Sequence, residues 1–217
     1  MNGKKKILIA DDHAVVRKGI GQIISETANM IVAGEAANGY EVNEKVENEE
    51  FDVVLLDIAL PGKNGIEILK EIKRKKPKLP VLILSIFPED QYALRAIKAG
   101  ASGYLTKESA PEELIEALKK VLRGGKYISP AFTEEIFAEI SSNHKGPLHS
   151  KLSDRELEVL CLLAQGKPIK QIANDLNLSA KTISTYRSRI MQKMAMKNNA
   201  ELIRYAFEHG LISPRLE

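Results

Sequence analysis

The stretch FDVVLLDIALP, residues 51–61, decides the fold. Val53 to Leu56 are apolar at every position, and the run ends in a carboxylate, Asp57. A short run without polar alternation predicts a strand covered on both faces, as in a parallel sheet. Asp57 then stands at the strand's carboxyl end, the edge where open α/β sheets place ligands and chemistry. Alone, Asp57 is equally well read as a turn-capping aspartate. The stretch ILIADDH at 7–13 tips the reading, because it puts Asp11 and Asp12 after another apolar strand, on the same edge.

Outward from these two strands, residues 6–123 alternate strand and helix. The expected strands are Lys6–Ala10, Ile31–Ala36, Val53–Asp57, Val81–Ser85 and Gly103–Thr106. Helices are expected over Ala14–Thr27, Gly39–Glu49, Asn64–Lys75, Glu89–Ala99 and Pro111–Arg123. Val16, Ile20, Ile23, Ile24 and Thr27 make a helical stripe in the first, and Ile66, Leu69 and Ile72 in the third. Pro111 suits a first turn, and Glu112 and Glu113 suit the positive end of the helix dipole. Five such units predict an α/β fold, a doubly wound parallel sheet with right-handed crossovers.

Gly124 and Gly125 stop this pattern, so the first domain is expected over 1–125. Residues 126–148 read as a linker, with a short helix at Ala131–Ile140 carrying Phe132, Ile136, Phe137 and Ile140. The stretch His144–Ser150 itself reads as a linker. Residues 149–217 form a second, all-α domain. Ser153 and Glu156 make a capping box for a helix that Gly166 closes. Further helices are expected at Ile169–Leu176, Ala180–Met194 behind the cap Ser179, and Ala200–His209 before Gly210. Asn177 and Leu178 make a tight turn, so the second and third of these helices match a helix-turn-helix.

The charge is uneven. Residues 1–147 hold 21 Lys+Arg and 22 Asp+Glu, whereas residues 148–217 hold 11 and 7. Lys181, Arg187, Arg189, Lys193 and Lys197 fall in 179–197 without an acid. A basic helical domain beside a near-neutral one points to a polyanion partner. In the third helix Ile183, Ile190 and Met194 share the inward face, bordered by Tyr186, and Ser184, Thr185, Arg187 and Ser188 point away. Small polar groups among bases suit a major groove. There is no membrane-spanning run and no signal peptide, and Cys161 is the only cysteine. That excludes an intrachain disulfide and a thiolate metal site, makes Cys161 a packing residue, and suggests the cytoplasm.

At the acidic edge, three carboxylates repel unless a cation joins them, and oxygen ligands favour Mg²⁺. Ser85 ends the fourth strand and Lys107 follows the fifth. These groups suit a transferred phosphoryl group, with Asp57 as nucleophile. Singly, Asp11 reads as a helix cap, Ser85 as a turn residue and Lys107 as a solvated lysine; only their joint placement argues for a site. His13 reads as a first-turn helix residue.

The motifs Asp11-Asp12, Asp57 with Pro61-Gly62 and Gly65, Ser85, and Gly103-Tyr104-Leu105 with Lys107 resemble a response-regulator receiver domain. The set Leu152-Ser153, Glu156, Gly166, Ile172-Ala173, Leu176, Leu178-Ser179 and Lys181-Thr182-Ile183 resembles the LuxR-type helix-turn-helix. Together they resemble the NarL/FixJ subfamily of two-component response regulators over nearly the whole chain. The resemblance implies a flavodoxin-like (βα)5 receiver that accepts phosphate at Asp57 from a sensor histidine kinase. It implies Mg²⁺ held by Asp11, Asp12, Asp57 and the Ala59 carbonyl, phosphoryl contacts from Ser85 and Lys107, and Tyr104 as a switch that turns inward when Ser85 moves. It places Ser184, Thr185 and Ser188 near base edges, and Lys181, Thr182, Arg187 and Arg189 on phosphates. A homodimer on a two-fold double-stranded DNA site is expected, with RNA polymerase as a further partner. Glu108 stands where many receivers carry proline after the lysine, so no cis bond is expected there. An Mg²⁺-dependent aspartyl-phosphate phosphohydrolase shares the α/β frame, but usually wants a second acid at the position of Ala59.

Overall fold

The computed structural model describes residues 3–61, 63–87, 89–129, 132 and 147–212. The chain divides into two compact units, 1–136 and 137–217.

The first unit is built on strands β1 (Lys5–Ala10), β2 (Met30–Ala36), β3 (Val53–Asp57), β4 (Val81–Ser85) and β5 (Gly103–Thr106). They form one parallel sheet in the order β2-β1-β3-β4-β5. Between them run α1 (Ala14–Ser25), α2 (Gly39–Asn48), α3 (Gly65–Lys75), α4 (Glu89–Lys98) and α5 (Ala110–Leu122). β3 and β4 are buried at every residue, as an apolar run between two helical layers must be. β2, at the sheet's edge, alternates buried and open positions instead. One core layer joins Ile7, Ile9, Leu55, Leu82, Leu84 and Leu105 to Ile20 and Ile24 of α1 and Leu114 and Leu118 of α5.

Several expected ends shift by a residue or two. α1 stops at Ser25, so Thr27 lies beyond it. α3 begins at Gly65, because Asn64 is its cap and accepts the Ile66 amide at 2.9 Å. α5 begins at Ala110, with Pro111 in its first turn. The expected helix at Ala131–Ile140 falls outside the described residues, apart from Phe132, which is buried.

The second unit holds α6 (Asp154–Ala164), α7 (Ile169–Asp175), α8 (Ala180–Met194) and α9 (Asn199–Glu208). Both arms of the Ser153–Glu156 capping box are present. Asn177 takes φ 51° in the turn between α7 and α8, a conformation asparagine tolerates better than most residues. Of the stretch expected as a linker, His144–Ser150, only residues 147–150 are among those described, and Leu148–Lys151 is a 3₁₀ turn. Its anchor is remote in sequence, because the His149 amide donates to the Tyr205 hydroxyl of α9 at 3.3 Å and the ring Nδ1 lies 3.0 Å from the same oxygen.

Candidate functional site

The carboxyl ends of β1, β3, β4 and β5 bring Asp11, Asp57, Ser85 and Lys107 into one place. Asp11 and Asp57 are almost wholly buried (0% and 1% exposed). The Lys107 ammonium lies 2.6 Å from Asp11 Oδ2 and 2.7 Å from Asp57 Oδ2, bridging them. Asp57 Oδ1 accepts the Ala59 amide at 3.0 Å. Burial pushes the Asp57 carboxyl above the usual carboxylate range; Lys107 opposes the shift and Asp11 adds to it. Burial would lower the Lys107 amine, but Asp57 and Asp11 outweigh it and hold the ammonium above an ordinary lysine's range. The cluster thus sets three carboxyl groups, Asp11, Asp12 and Asp57, against one ammonium, Lys107.

Local contacts place these groups. Gly65 lies so close to β3 that a Cβ there would come within 2.4 Å of the Asp57 carbonyl oxygen. Only glycine lets the start of α3 sit against the aspartate's backbone. The Arg17 guanidinium donates to the Asp11 carbonyl at 2.7 Å and to Glu35 at 2.8 Å, fixing the end of β1. Arg17 and Asn64 escape a reading of strand ends, because both act from helix termini.

His13 corrects its reading as a first-turn residue. It is the extended N-cap of α1. Its amide donates to Asp11 Oδ1 at 2.8 Å, and its ring Nδ1 lies 2.7 Å from Asp12 Oδ1. One ligand atom each of Asp11, Asp12 and His13 lie within 4.8 Å of one another. Asp12 Oδ1 is buried and accepts no aligned hydrogen bond among the described residues. A cluster of carboxylate oxygens that outnumbers its cationic partners fits a hard divalent cation.

Ser85 Oγ accepts the Phe87 amide at 3.0 Å, so its hydroxyl oxygen is turned to its own loop. Tyr104 is more enclosed than a half-buried strand aromatic. It already points inward, 2% exposed, and its hydroxyl donates to the Phe87 carbonyl at 2.9 Å. No peptide bond among the described residues is cis, including the one before Glu108.

In the second unit Ile183, Ile190 and Met194 are buried, as the periodicity predicts. Lys181, Ser184, Thr185, Ser188 and Arg189 are exposed on α8. The hydroxyls of Ser184, Thr185 and Ser188 donate to carbonyls four residues back, at 2.9, 2.9 and 3.0 Å. Two residues depart from the expected open face. Thr182 is half-buried, its hydroxyl 2.8 Å from that of Ser179. Arg187 is half-buried and its Nε donates to Asn199 Oδ1 at 2.9 Å. Lys193 is engaged by Glu156 at 2.6 Å, which removes one of the five bases from the charge count.

Two known families match separate parts of the chain. The family described as response regulator receiver domain matches residues 7–119, and the luxR family of bacterial regulatory proteins matches 150–206. The oxygen regulatory protein NreC of Staphylococcus carnosus is 37% identical over 214 residues, 95% of this chain and 99% of the relative. The response regulator GacA of Pseudomonas aeruginosa is 33% identical over 209 residues, 95% of this chain and 97% of the relative. RcsB of Salmonella enterica serovar Typhimurium, solved on promoter P1flhDC with the phosphomimetic BeF3−, is similar with a TM-score of 0.64 and 28% identity, covering 94% of this chain and 98% of that one. The chain belongs to the two-component response regulators of NarL/FixJ type, in which a receiver domain is joined to a LuxR-type helix-turn-helix that binds DNA and regulates transcription.

Proposed function

We propose that Asp57 is the phosphoacceptor of this regulator and that its phosphorylation by a sensor histidine kinase controls dimerisation and promoter binding. The observation that carries this is the burial of Asp57 at the end of β3 with Lys107 at 2.7 Å, beside a second buried carboxyl group, Asp11. A carboxylate oxygen of Asp57 forms the new O–P bond as the P–N bond of the kinase's phosphohistidine breaks, and the electron pair leaves with the imidazole. Asp11, Asp12, Asp57 and the Ala59 carbonyl are the groups that would hold Mg²⁺, whose charge when bound offsets that of the phosphoryl oxygens. Lys107 is positioned to swing from Asp57 onto one phosphoryl oxygen and Ser85 to donate to another. Tyr104 follows Ser85 through the shared Phe87 backbone.

We place the receiver at 1–125, the linker at 126–148 and the DNA-binding domain at 149–217. Ser184, Thr185 and Ser188 face base edges, while Lys181, Thr182, Arg187 and Arg189 hold phosphates. One helix-turn-helix reads little DNA, so a homodimer on a two-fold site is the working form. A solved structure of two RcsB dimers bound to two parallel DNAs supports the dimer by likeness. The site of action is the cytoplasm, with RNA polymerase as the downstream partner. Among the described residues no helix is long and apolar enough to cross a membrane. The phosphohydrolase alternative lacks an acid at Ala59, and the relatives are regulators.

The test is labelling by acetyl phosphate with Mg²⁺, followed by selection and gel shift on genomic DNA. The expected outcome is one phosphoryl group per chain and tighter binding to a two-fold site, both lost in Asp57→Ala. Specific binding that ignores phosphodonor and Asp57 would refute the switch, and repeated turnover of a phosphate ester would favour the enzyme.

A further inference from the structure

Residues 126–129 do not leave the receiver freely. Tyr127 pairs in parallel with Gly103 beyond the sheet's β5 edge. Its amide donates to the Ser102 carbonyl at 2.9 Å, and its carbonyl accepts the Tyr104 amide at 3.0 Å. The slot is built for close approach: a Cβ on Gly103 would come within 2.5 Å of the Tyr127 carbonyl oxygen and 2.8 Å of its Cβ. The Tyr127 hydroxyl donates to Glu113 of α5 at 2.7 Å. Two residues on, the Ser129 amide donates to Glu89 Oε1 at 3.0 Å, and Glu89 is the first residue of α4.

Among the described residues, three attachments hold the loop between β4 and α4 and the first residue of α4. At its start, Ser85 Oγ holds the Phe87 amide. In its middle, the Phe87 carbonyl holds the Tyr104 hydroxyl, and the Phe87 ring stacks on Tyr92 at 4.8 Å. At its end, Glu89 holds Ser129. Tyr104 closes the circuit, because its side chain is bonded to this loop and its amide to Tyr127. A Ser85 hydroxyl drawn to a phosphoryl oxygen gives up Phe87, so one movement disturbs two of the supports of 126–129, Tyr104 and Glu89.

We infer that residues 126–129 are a latch by which the β4–α4 loop grips the start of the interdomain segment, and that a shift of Ser85 towards a phosphoryl group on Asp57 releases it. This rests on the reading of Asp57 as phosphoacceptor. The latch gives the linker a resting state stitched to the sheet and an active state in which Tyr127 and Ser129 lose their partners. Glu89, Glu113 and Gly103 are its holding residues, and none of them touches the phosphoryl site.

The test is amide hydrogen exchange on the full chain, with and without beryllofluoride and Mg²⁺. The expected result is exchange over 126–129 roughly three- to tenfold faster in the beryllofluoride state, the factor that accompanies loss of about one net hydrogen bond. Glu89→Ala should show that rise already without beryllofluoride, and Tyr127→Phe, which keeps the fold and loses only the phenol bond, a smaller one. If the amides of Ala59 and Phe87 change on adding beryllofluoride while 126–129 does not, the latch is overturned and the phosphoacceptor reading stands. If none of these amides changes, the phosphoacceptor reading fails and takes the latch with it.

Discussion

Each unit buries charge, and the two clusters differ in balance. In the receiver, Asp11 and Asp57 are buried beside the partly buried Asp12, and one ammonium, Lys107, faces them. In the second unit, Arg155 and Glu158 are buried on α6 and bonded to each other at 2.7 Å, with the guanidinium also reaching the Leu176 carbonyl at 3.2 Å. The second cluster is neutral and ties α6 to the end of α7. The first sets three carboxyl groups against one ammonium, a surplus of acids that a purely structural cluster has no reason to carry. Imbalance marks the candidate site, and balance marks the joint.

Breaking the balanced pair should therefore have the largest effect. Glu158→Ala takes away the carboxylate of a buried guanidinium, a loss of about 3–5 kcal/mol. The expected outcome is unfolding of the second unit, seen as lost helical signal and lost DNA binding, while labelling at Asp57 persists. A variant that keeps its helical signal and its DNA binding would show the pair to be incidental.

The unbalanced cluster should respond in the opposite direction. Asp57→Asn removes one buried negative charge and leaves Lys107 paired with Asp11, so it should stabilise the chain at neutral pH by about 1–2 kcal/mol. The sign follows from the titration. Burial raises the Asp57 carboxyl in the folded state, so the folded chain holds that proton more tightly than the unfolded chain. Stability from this group is full below the ordinary carboxylate range and falls as pH rises through the raised value. The advantage of Asn should then shrink as pH falls to about 4, near the ordinary aspartate value. Urea denaturation of both proteins at the two pH values checks this, and a destabilised Asn variant at neutral pH would mean that Lys107 already balances the site.

Sequence reading reached the first cluster because the sheet does the gathering. Val53–Asp57, Val81–Ser85 and Gly103–Thr106 end where the apolar runs end, so residues remote in the chain fall on one edge. Helix α8 was legible for a similar reason, since Ile183, Ile190 and Met194 mark its buried face. The second cluster was hidden, because Arg155 and Glu158 sit three apart on a helix and look like a solvated surface pair. Their burial depends on where α7 ends. The pairing of Lys193 with Glu156 joins residues 37 apart, and the anchor of Leu148–Lys151 on Tyr205 joins residues 56 apart. The ring of His13 reached the acids through a backbone turn that no periodicity encodes. Long-range polar contacts of this kind leave no trace in spacing.

On α8 the polar groups of Ser184, Thr185 and Ser188 are not buried but lie exposed on one face. Thr185 is exposed and its hydroxyl proton is given to the Lys181 carbonyl, so its oxygen faces outward as an acceptor. An acceptor in the major groove selects bases that present an amino group, adenine or cytosine. Thr185→Val keeps the shape and removes that acceptor. Stability should move by less than about 0.5 kcal/mol, as at most surface sites. Binding to the preferred site should weaken by roughly 1 kcal/mol at a single base position, with non-specific binding and its salt dependence unchanged. Lys181→Ala should do the reverse, weakening all sequences alike and lowering the salt slope by about one. Gel shifts on a site library across a salt series separate the two. An even loss across sequences for Thr185→Val would move this residue from base reading to backbone holding, and with it the register of α8 on the DNA.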